Sequence, residues 1–350
     1  MAPDYTLHIE TRLDIGATPI ALKTLSFATP KQTIACVLSE THTVLLFAAG
    51  ETTPNARILV DIDPIDISGG GRDFAYIACQ SPQTVDVIRR SGFVKRIPLP
   101  GIPQSLAWNG SYAATRQKIL VACQIPDTEE GVVVVIDEET LSIANTLKVG
   151  KRPRGISLDG QRKHFLVANY GSDSITIIDQ AGTKVLATLP TAGRPWMANV
   201  SWSDPQDIMV SLNGGGILQR LDGSQFPPVL SGLAALKKPT KPPTRMTPFC
   251  CYPLDEDHLW LVPDRNSESI ALISSNQNEL KQVGYYALGK DDQSGEGLGS
   301  VARTGHGLPS ALCIANRKRK QLIFARIHRG KSAIAMRQTS TRGTPSLRSR

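Results

Sequence analysis

Three observations predict that this chain is all-β, a seven-bladed β-propeller of four-stranded antiparallel blades. A proline-marked turn, clearest as Gly-x-(x)-Pro, recurs with its proline at Pro19, Pro64, Pro103, Pro153, Pro195, Pro248 and Pro309. Each proline is followed by at least three short β-rich stretches, four in the most complete unit, separated by turn-forming residues. One further β-rich stretch, TLHIETRLDIG, precedes the first proline and belongs to no unit of its own.

The unit is most complete from Val149 to Trp196, where ISL, HFLVAN, SITIID and VLATL are separated by DGQ, YGSD and QAGT. These spacers have the composition of turns. The seven inner stretches read PIALKTLSF, PIDISG, PQSLAW, PRGISL, PWMANVSW, PFCCY and PSALCIAN. The second stretches are TIACVLS, FAYIACQ, KILVACQ, HFLVAN, DIMVSL, HLWLVPD and LIFARI, and the third are TVLLFA, TVDVI, GVVVVID, SITIID, ILQRLD, SIALIS and SAIAM. The fifth and sixth units match least well. Because Pro309 has only three stretches after it, the N-terminal stretch is expected to complete the last blade. Closure of that kind removes the two open edges that would template aggregation. An open solenoid would need polar capping repeats, and none is evident.

The run LVAN at 166–169, followed by YGSDSITIID, resembles the YVTN type of propeller repeat found in surface-layer proteins. The resemblance is sharp over one blade and recognisable over about three. It implies the propeller fold, and it implies no single reaction, since relatives with this repeat include binding modules, lactonases and antibiotic lyases.

Size and composition agree with one domain. The chain has 350 residues, 41% of them apolar, and residues 1–338 are expected to form the propeller, with a basic tail at 339–350. The first residues, MAPDYTLHIE, lack the basic start and apolar run of a secretory signal, and no stretch is long and apolar enough to predict a membrane span. Cys36, Cys79 and Cys123 occur in IAC, IAC and VAC, and are expected at equivalent positions on successive blades, too far apart for disulfides. Buried thiols in a reducing cytoplasm follow, with a nuclear location as the alternative. The net charge of +8 is localised. Of 39 Lys and Arg, 11 fall at 317–350, where there is no Asp or Glu, so the first 316 residues carry a net −3.

The binding candidates follow from the same frame. Residues 225–247 and 288–307 are expected to be long insertions on the top face, the face that holds the leading turns and the turns between second and third strands. The first carries Lys237, Lys238, Lys241 and Arg245, with SGLAAL as a short helical turn. Near the channel mouth, Arg152, Arg154 and Arg194 surround Trp196, an aromatic that could stack on a base or sugar. Asn169 and Asp264 are expected on a polar rim with Cys79, Cys123 and Ser211. Arg317, Lys318, Arg319 and Lys320 form a polyanion-binding patch, expected between the first two strands of the last blade and so on the bottom face.

Signals for chemistry are sparse. His306, Glu296 and Asp264 are the candidates for a catalytic group, were the second insertion to fold over the channel. The remaining histidines are scattered with no two at ligand spacing, so no metal site and no cofactor is expected. The sequence therefore favours a non-catalytic scaffold that binds a protein partner through top-face loops, with a basic C-terminal blade and tail for an acidic partner or nucleic acid. The alternative is a lactonase- or lyase-like enzyme.

Overall fold

The computed structural model describes residues 5–25, 32–71, 73–110, 117–159, 163–201, 204–213, 215–240, 244–254, 258–276, 279–289, 297–304 and 310–330. Strand β1 (Tyr5–Asp14) is followed by blade 1, made of β2 (Pro19–Leu25), β3 (Thr33–Leu38), β4 (Thr43–Ala48) and β5 (Ala56–Leu59). Blade 2 holds β6 (Ile62–Gly69), β7 (Ala75–Ser81), β8 (Thr84–Arg89) and β9 (Gly92–Pro98), and blade 3 holds β10 (Ile102–Trp108), β11 (Lys118–Gln124), β12 (Gly131–Asp137) and β13 (Ser142–Val149). Blade 4 is β14 (Pro153–Leu158), β15 (His164–Asn169), β16 (Ser174–Asp179) and β17 (Val185–Pro190), and blade 5 is β18 (Pro195–Val200), β19 (Asp207–Leu212), β20 (Ile217–Asp222) and β21 (Val229–Ala235). A small hairpin, β22 (Lys237–Lys238) and β23 (Thr244–Arg245), precedes blade 6, which is β24 (Tyr252–Leu254), β25 (Leu259–Pro263), β26 (Ser269–Asn276) and β27 (Glu279–Ala287). Blade 7 contributes β28 (Leu298–Thr304), β29 (Ser310–Asn316) and β30 (Gln321–Arg329). The described residues contain no helix.

All seven four-stranded sheets are antiparallel, and the seventh runs β1-β30-β29-β28. The N-terminal strand thus closes the ring, paired from Tyr5↔Arg329 to Asp14↔Gln321. Tyr286 of blade 6 donates its hydroxyl to the Tyr5 carbonyl at 2.6 Å, tying the closing strand to its neighbour blade.

The core lies between blades. Middle strands such as β3, β12 and β16 are buried along almost their whole length, whereas outer strands such as β9 and β13 are largely exposed. Val, Ile and Leu therefore run continuously through the middle strands, as expected of strands covered on both faces. Val85 and Val87 of blade 2, for example, share a cluster with Val121 and Val134 of blade 3. Polar networks pin the same interfaces. Asp207 of blade 5 is fully buried, accepts from Arg220 Nε at 2.8 Å and from Trp260 Nε1 of blade 6 at 3.1 Å, and accepts the Ser275 hydroxyl as well. Asp86 accepts Arg96 Nε at 2.8 Å and the Asp61 amide at 2.8 Å.

Several expectations need correction. The stretch after Pro309, which itself lies outside the described residues, is not an inner strand: LGSVART at 298–304 is the innermost strand of blade 7, SALCIAN at 310–316 is its second strand and LIFARI lies in its third. Residues 288–307 are consequently no single loop, because a seven-residue inner strand runs through them. Residues 225–247 likewise include β21, so SGLAA at 231–235 is outer strand and not helix, and Leu236 follows it. The free edge of β20 outweighs local helical composition there. The cluster 317–320 now falls between second and third strands, which moves it from the bottom face to the top. Cys36 faces Leu22, while Leu38 is the residue opposite Pro19, so Cys36 is two places out of line with Cys79 and Cys123. Ser211 is one place out of line with the rim, since Leu212 lies opposite Pro195.

Candidate functional site

A single backbone device repeats at the top of the inner strands. Pro19, Pro64, Pro103, Pro153 and Pro195 each pair with the end of the second strand, at Leu38, Cys79, Cys123, Asn169 and Leu212, and the register then skips one residue. Leu298 takes the proline's place in blade 7 opposite Asn316, and a bridge joins Pro248 to Asp264 in blade 6. A bulge leaves one residue unpaired and re-aims its side chain. The residues one place after these markers are Ile20, Ile65, Gln104, Arg154, Trp196, Phe249 and Gly299, and all but the buried Gly299 are partly exposed. In blades 3 to 6 they touch in ring order. Arg154 Nη1 donates to Gln104 Oε1 at 2.6 Å, the Arg154 guanidinium lies 5.5 Å from the Trp196 ring centre, and the Trp196 and Phe249 rings are 5.8 Å apart.

Around that arc gathers a cluster of cations and aromatics. Arg152, Arg154 and Arg194 place their guanidinium carbons 5.7, 5.7 and 5.6 Å from the centre of the Tyr170 ring. Tyr170 meets Trp196 edge-on at 5.9 Å, and Arg265 lies over Trp196 at 4.4 Å. Each guanidinium-to-ring separation is within reach of a cation–π attraction. The backbone is shaped to permit this. Arg152 adopts φ 45°, immediately before Pro153, a left-handed conformation that costs roughly 1 kcal/mol or more. At Gly155, a Cβ would fall 2.6 Å from the Trp196 carbonyl oxygen, so the glycine allows blade 5 to approach blade 4 closely.

The charges are unevenly matched. Arg152 and Lys151 share Glu129 at 3.6 and 3.8 Å, all on partly exposed side chains. Arg154 and Arg194, by contrast, have no carboxylate partner among the described residues. Arg154 Nε is buried and has no hydrogen-bond partner among the described residues. Burial first, then the neighbouring charge of Arg152, lowers the pKa of Arg154 from its ordinary value. Arginine nevertheless stays charged, so Arg154 and Arg194 hold positive charge that no carboxylate among the described residues pairs with.

The other predicted residues have structural partners. Asp264 accepts from the Thr247 and Asn266 amides, both at 3.0 Å, from the Ser267 hydroxyl at 2.7 Å, and pairs with Lys238 at 3.0 Å. Asn169 donates to Thr176 Oγ1 at 2.8 Å and Ser174 Oγ at 3.2 Å. Arg245 donates to the Gly215 carbonyl at 3.1 Å, and the Lys237 backbone exchanges hydrogen bonds with Gln282. In blade 7, Arg319 pairs with buried Glu268 at 2.6 Å and Lys320 with Glu40 at 2.8 Å. Burial would raise the Glu268 pKa, but Arg319, Asn316 and the charge of Lys318 hold it below the usual carboxylate range. Lys241, Glu296 and His306 lie outside the described residues, as does the tail at 339–350. Among the described residues, no group of three or more His, Cys, Asp or Glu is placed to hold a metal ion.

Tyr170, Phe249, Arg265 and Gln104 complete the cluster and were missed from the sequence. For Gln104 and Phe249 a signal was present: each follows a marker proline, as Arg154 and Trp196 do. Tyr170 and Arg265 arrive from turns between second and third strands, where nothing local marks them.

No protein-family profile matches the chain, and no curated protein matches it in sequence. Among solved structures it is similar to hydrazine synthase of Kuenenia stuttgartiensis, with a TM-score of 0.64 and 14% identity over 91% of this chain and 98% of that one. At that identity the likeness shows the propeller fold alone.

Proposed function

We propose that this propeller is a non-catalytic interaction module that grips an acidic protein partner with its top face. The observation that carries this reading is the gathering of Arg152, Arg154, Arg194 and Arg265 around Tyr170 and Trp196, with Arg154 and Arg194 unmatched by any carboxylate among the described residues. Guanidinium groups held this close repel one another, and an anionic partner relieves that repulsion while gaining charge-assisted hydrogen bonds. Blade 7 presents Arg317 and Lys318 on the same face, which broadens the attractive field and speeds encounter with an acidic surface. All six cysteines are buried free thiols, which suits a reducing compartment such as the cytoplasm.

The test is binding of a fluorescent glutamate-rich peptide and of single-stranded RNA to the full chain, with and without Arg154→Gln and Arg194→Gln together. The peptide should bind, weaken as salt rises, and be lost from the double variant while the variant keeps its melting temperature. Retention of peptide by the double variant overturns the site. A marked preference for RNA overturns the assignment to a protein partner.

A further inference from the structure

We infer that the group captured at this mouth is a phosphate monoester, carried as a phosphorylated serine or threonine side chain of the acidic partner. This inference rests on the reading of the top face as an acidic-partner surface and narrows it to one chemistry.

The number and type of donors point to phosphate. Three guanidinium groups share the Tyr170 ring and a fourth lies over Trp196, while Lys151 beside them shares Glu129 with Arg152. Each guanidinium offers a planar fork of N–H donors, the geometry that matches two oxygens of one anion. A carboxylate has two oxygens and saturates after one such fork. A phosphate monoester has three terminal oxygens and close to two negative charges at neutral pH, so it can engage several forks at once. The buried, unpartnered Nε of Arg154 is a donor already desolvated and lacking an acceptor. Filling it recovers a hydrogen bond with little further loss of hydration.

The aromatics argue against a nucleobase as the bound group. Trp196 is bounded by Arg265, Arg154, Tyr170 and Phe249, and Tyr170 by three guanidiniums and the edge of Trp196. Both rings act as platforms that hold cations in place. A base would have to displace an arginine to stack, whereas a phosphate binds the arginines as they stand.

Exposure separates the roles. Arg194 is exposed and Arg152 and Arg154 are partly so, which leaves the cluster open to a side chain arriving from above. Gln104, bonded to Arg154 at 2.6 Å, orients that guanidinium without neutralising it.

The experiment is calorimetric titration of the full chain, at constant ionic strength in chloride, with four probes. These are a phosphoserine peptide, the same peptide with glutamate at that position, inorganic phosphate and adenosine monophosphate. The phosphoserine peptide should bind about tenfold or more tightly than its glutamate counterpart, the increment of one additional charge-assisted contact. Inorganic phosphate should compete with it. Its affinity should fall between pH 7.5 and 5.5, because the phosphate takes up its second proton near pH 6 while the arginines and the glutamate peptide stay charged. Arg194→Lys should recover little of what Arg194→Gln loses, since lysine keeps the charge but not the fork. Equal binding of the two peptides with no loss at low pH overturns the phosphate assignment and leaves the acidic-partner reading intact. Binding of neither peptide overturns both. Tighter binding of adenosine monophosphate than of the phosphopeptide overturns the side-chain source and places the monoester on a small molecule.

Discussion

On the bottom face, the turns leaving the third strands of blades 3, 4 and 5 begin with Asp137, Asp179 and Asp222, and each carboxylate accepts amides of its own turn. On the top face, the turns of blades 4 to 6 carry Arg152, Arg194 and Arg265, which lean on aromatic rings. The difference is one of satisfaction. Burial would raise the carboxylates of Asp137 and Asp179, yet the donors around them hold both below the usual range, and amide and hydroxyl donors of Ser224 do the same for Asp222. These bottom turns are closed circuits, whereas Arg154 and Arg194 on the top face have no carboxylate partner among the described residues.

Four measurements would break or sharpen that contrast. The largest effect belongs to neither face. Asp207→Ala removes the buried carboxylate that Arg220, Trp260 and Ser275 share between blades 5 and 6, leaving Arg220 only the Asn276 carbonyl and Trp260 only the Ser275 hydroxyl among the described residues, and should cost about 3–5 kcal/mol in urea unfolding. A loss below about 1 kcal/mol would mean that these networks do not bind the blades together.

Next comes the bottom face. Lys118 and Thr140 hold the Asp137 carboxyl down at about 2 against the effect of burial. A carboxyl depressed in the folded state contributes stability above its unfolded value near 3.9, and that contribution is lost as pH falls through about 2. Asp137→Asn should thus cost roughly 1–2 kcal/mol at pH 7, with the difference from the parent protein closing toward pH 2. A pH-independent cost would show that the turn is held by shape and not by charge.

The top face should behave in the opposite way. Arg194→Gln should lower affinity for an acidic peptide about tenfold, yet change unfolding free energy by less than about 0.5 kcal/mol. An equal loss of stability would erase the distinction between the two faces. The smallest effect is expected at Lys320, which is on the top face but already paired with Glu40 on half-exposed side chains. Lys320→Gln should change neither stability by more than about 0.5 kcal/mol nor binding by more than about twofold.

Much of the ring was legible because its signals are local and repeated. A proline that leads into an inner strand and the β-rich stretches after it announce each blade by residue type alone, and the leftover TLHIETRLDIG announced the closing strand. The cluster around Trp196 was partly legible for the same reason, since Arg152, Arg154 and Arg194 lie within three residues of a marker proline. Blade 7 is the exception because its inner strand has Leu298 where the other blades have proline, so that in sequence Pro309 reads as the missing marker. That one-strand slip moved Arg317–Lys320 to the wrong face.

What the amino-acid order determined by itself is the repeat: where chain turns, where it extends, and that seven such units with a spare strand make a ring. Those features depend on φ, side-chain branching and turn chemistry over a few residues. Tertiary structure alone decided which strand of blade 7 is innermost, which cations keep carboxylate partners, and that Tyr170 and Arg265 meet Trp196. Those outcomes depend on pairings between residues tens to hundreds of positions apart, as when β1 joins β30, and no local property of either segment encodes its partner.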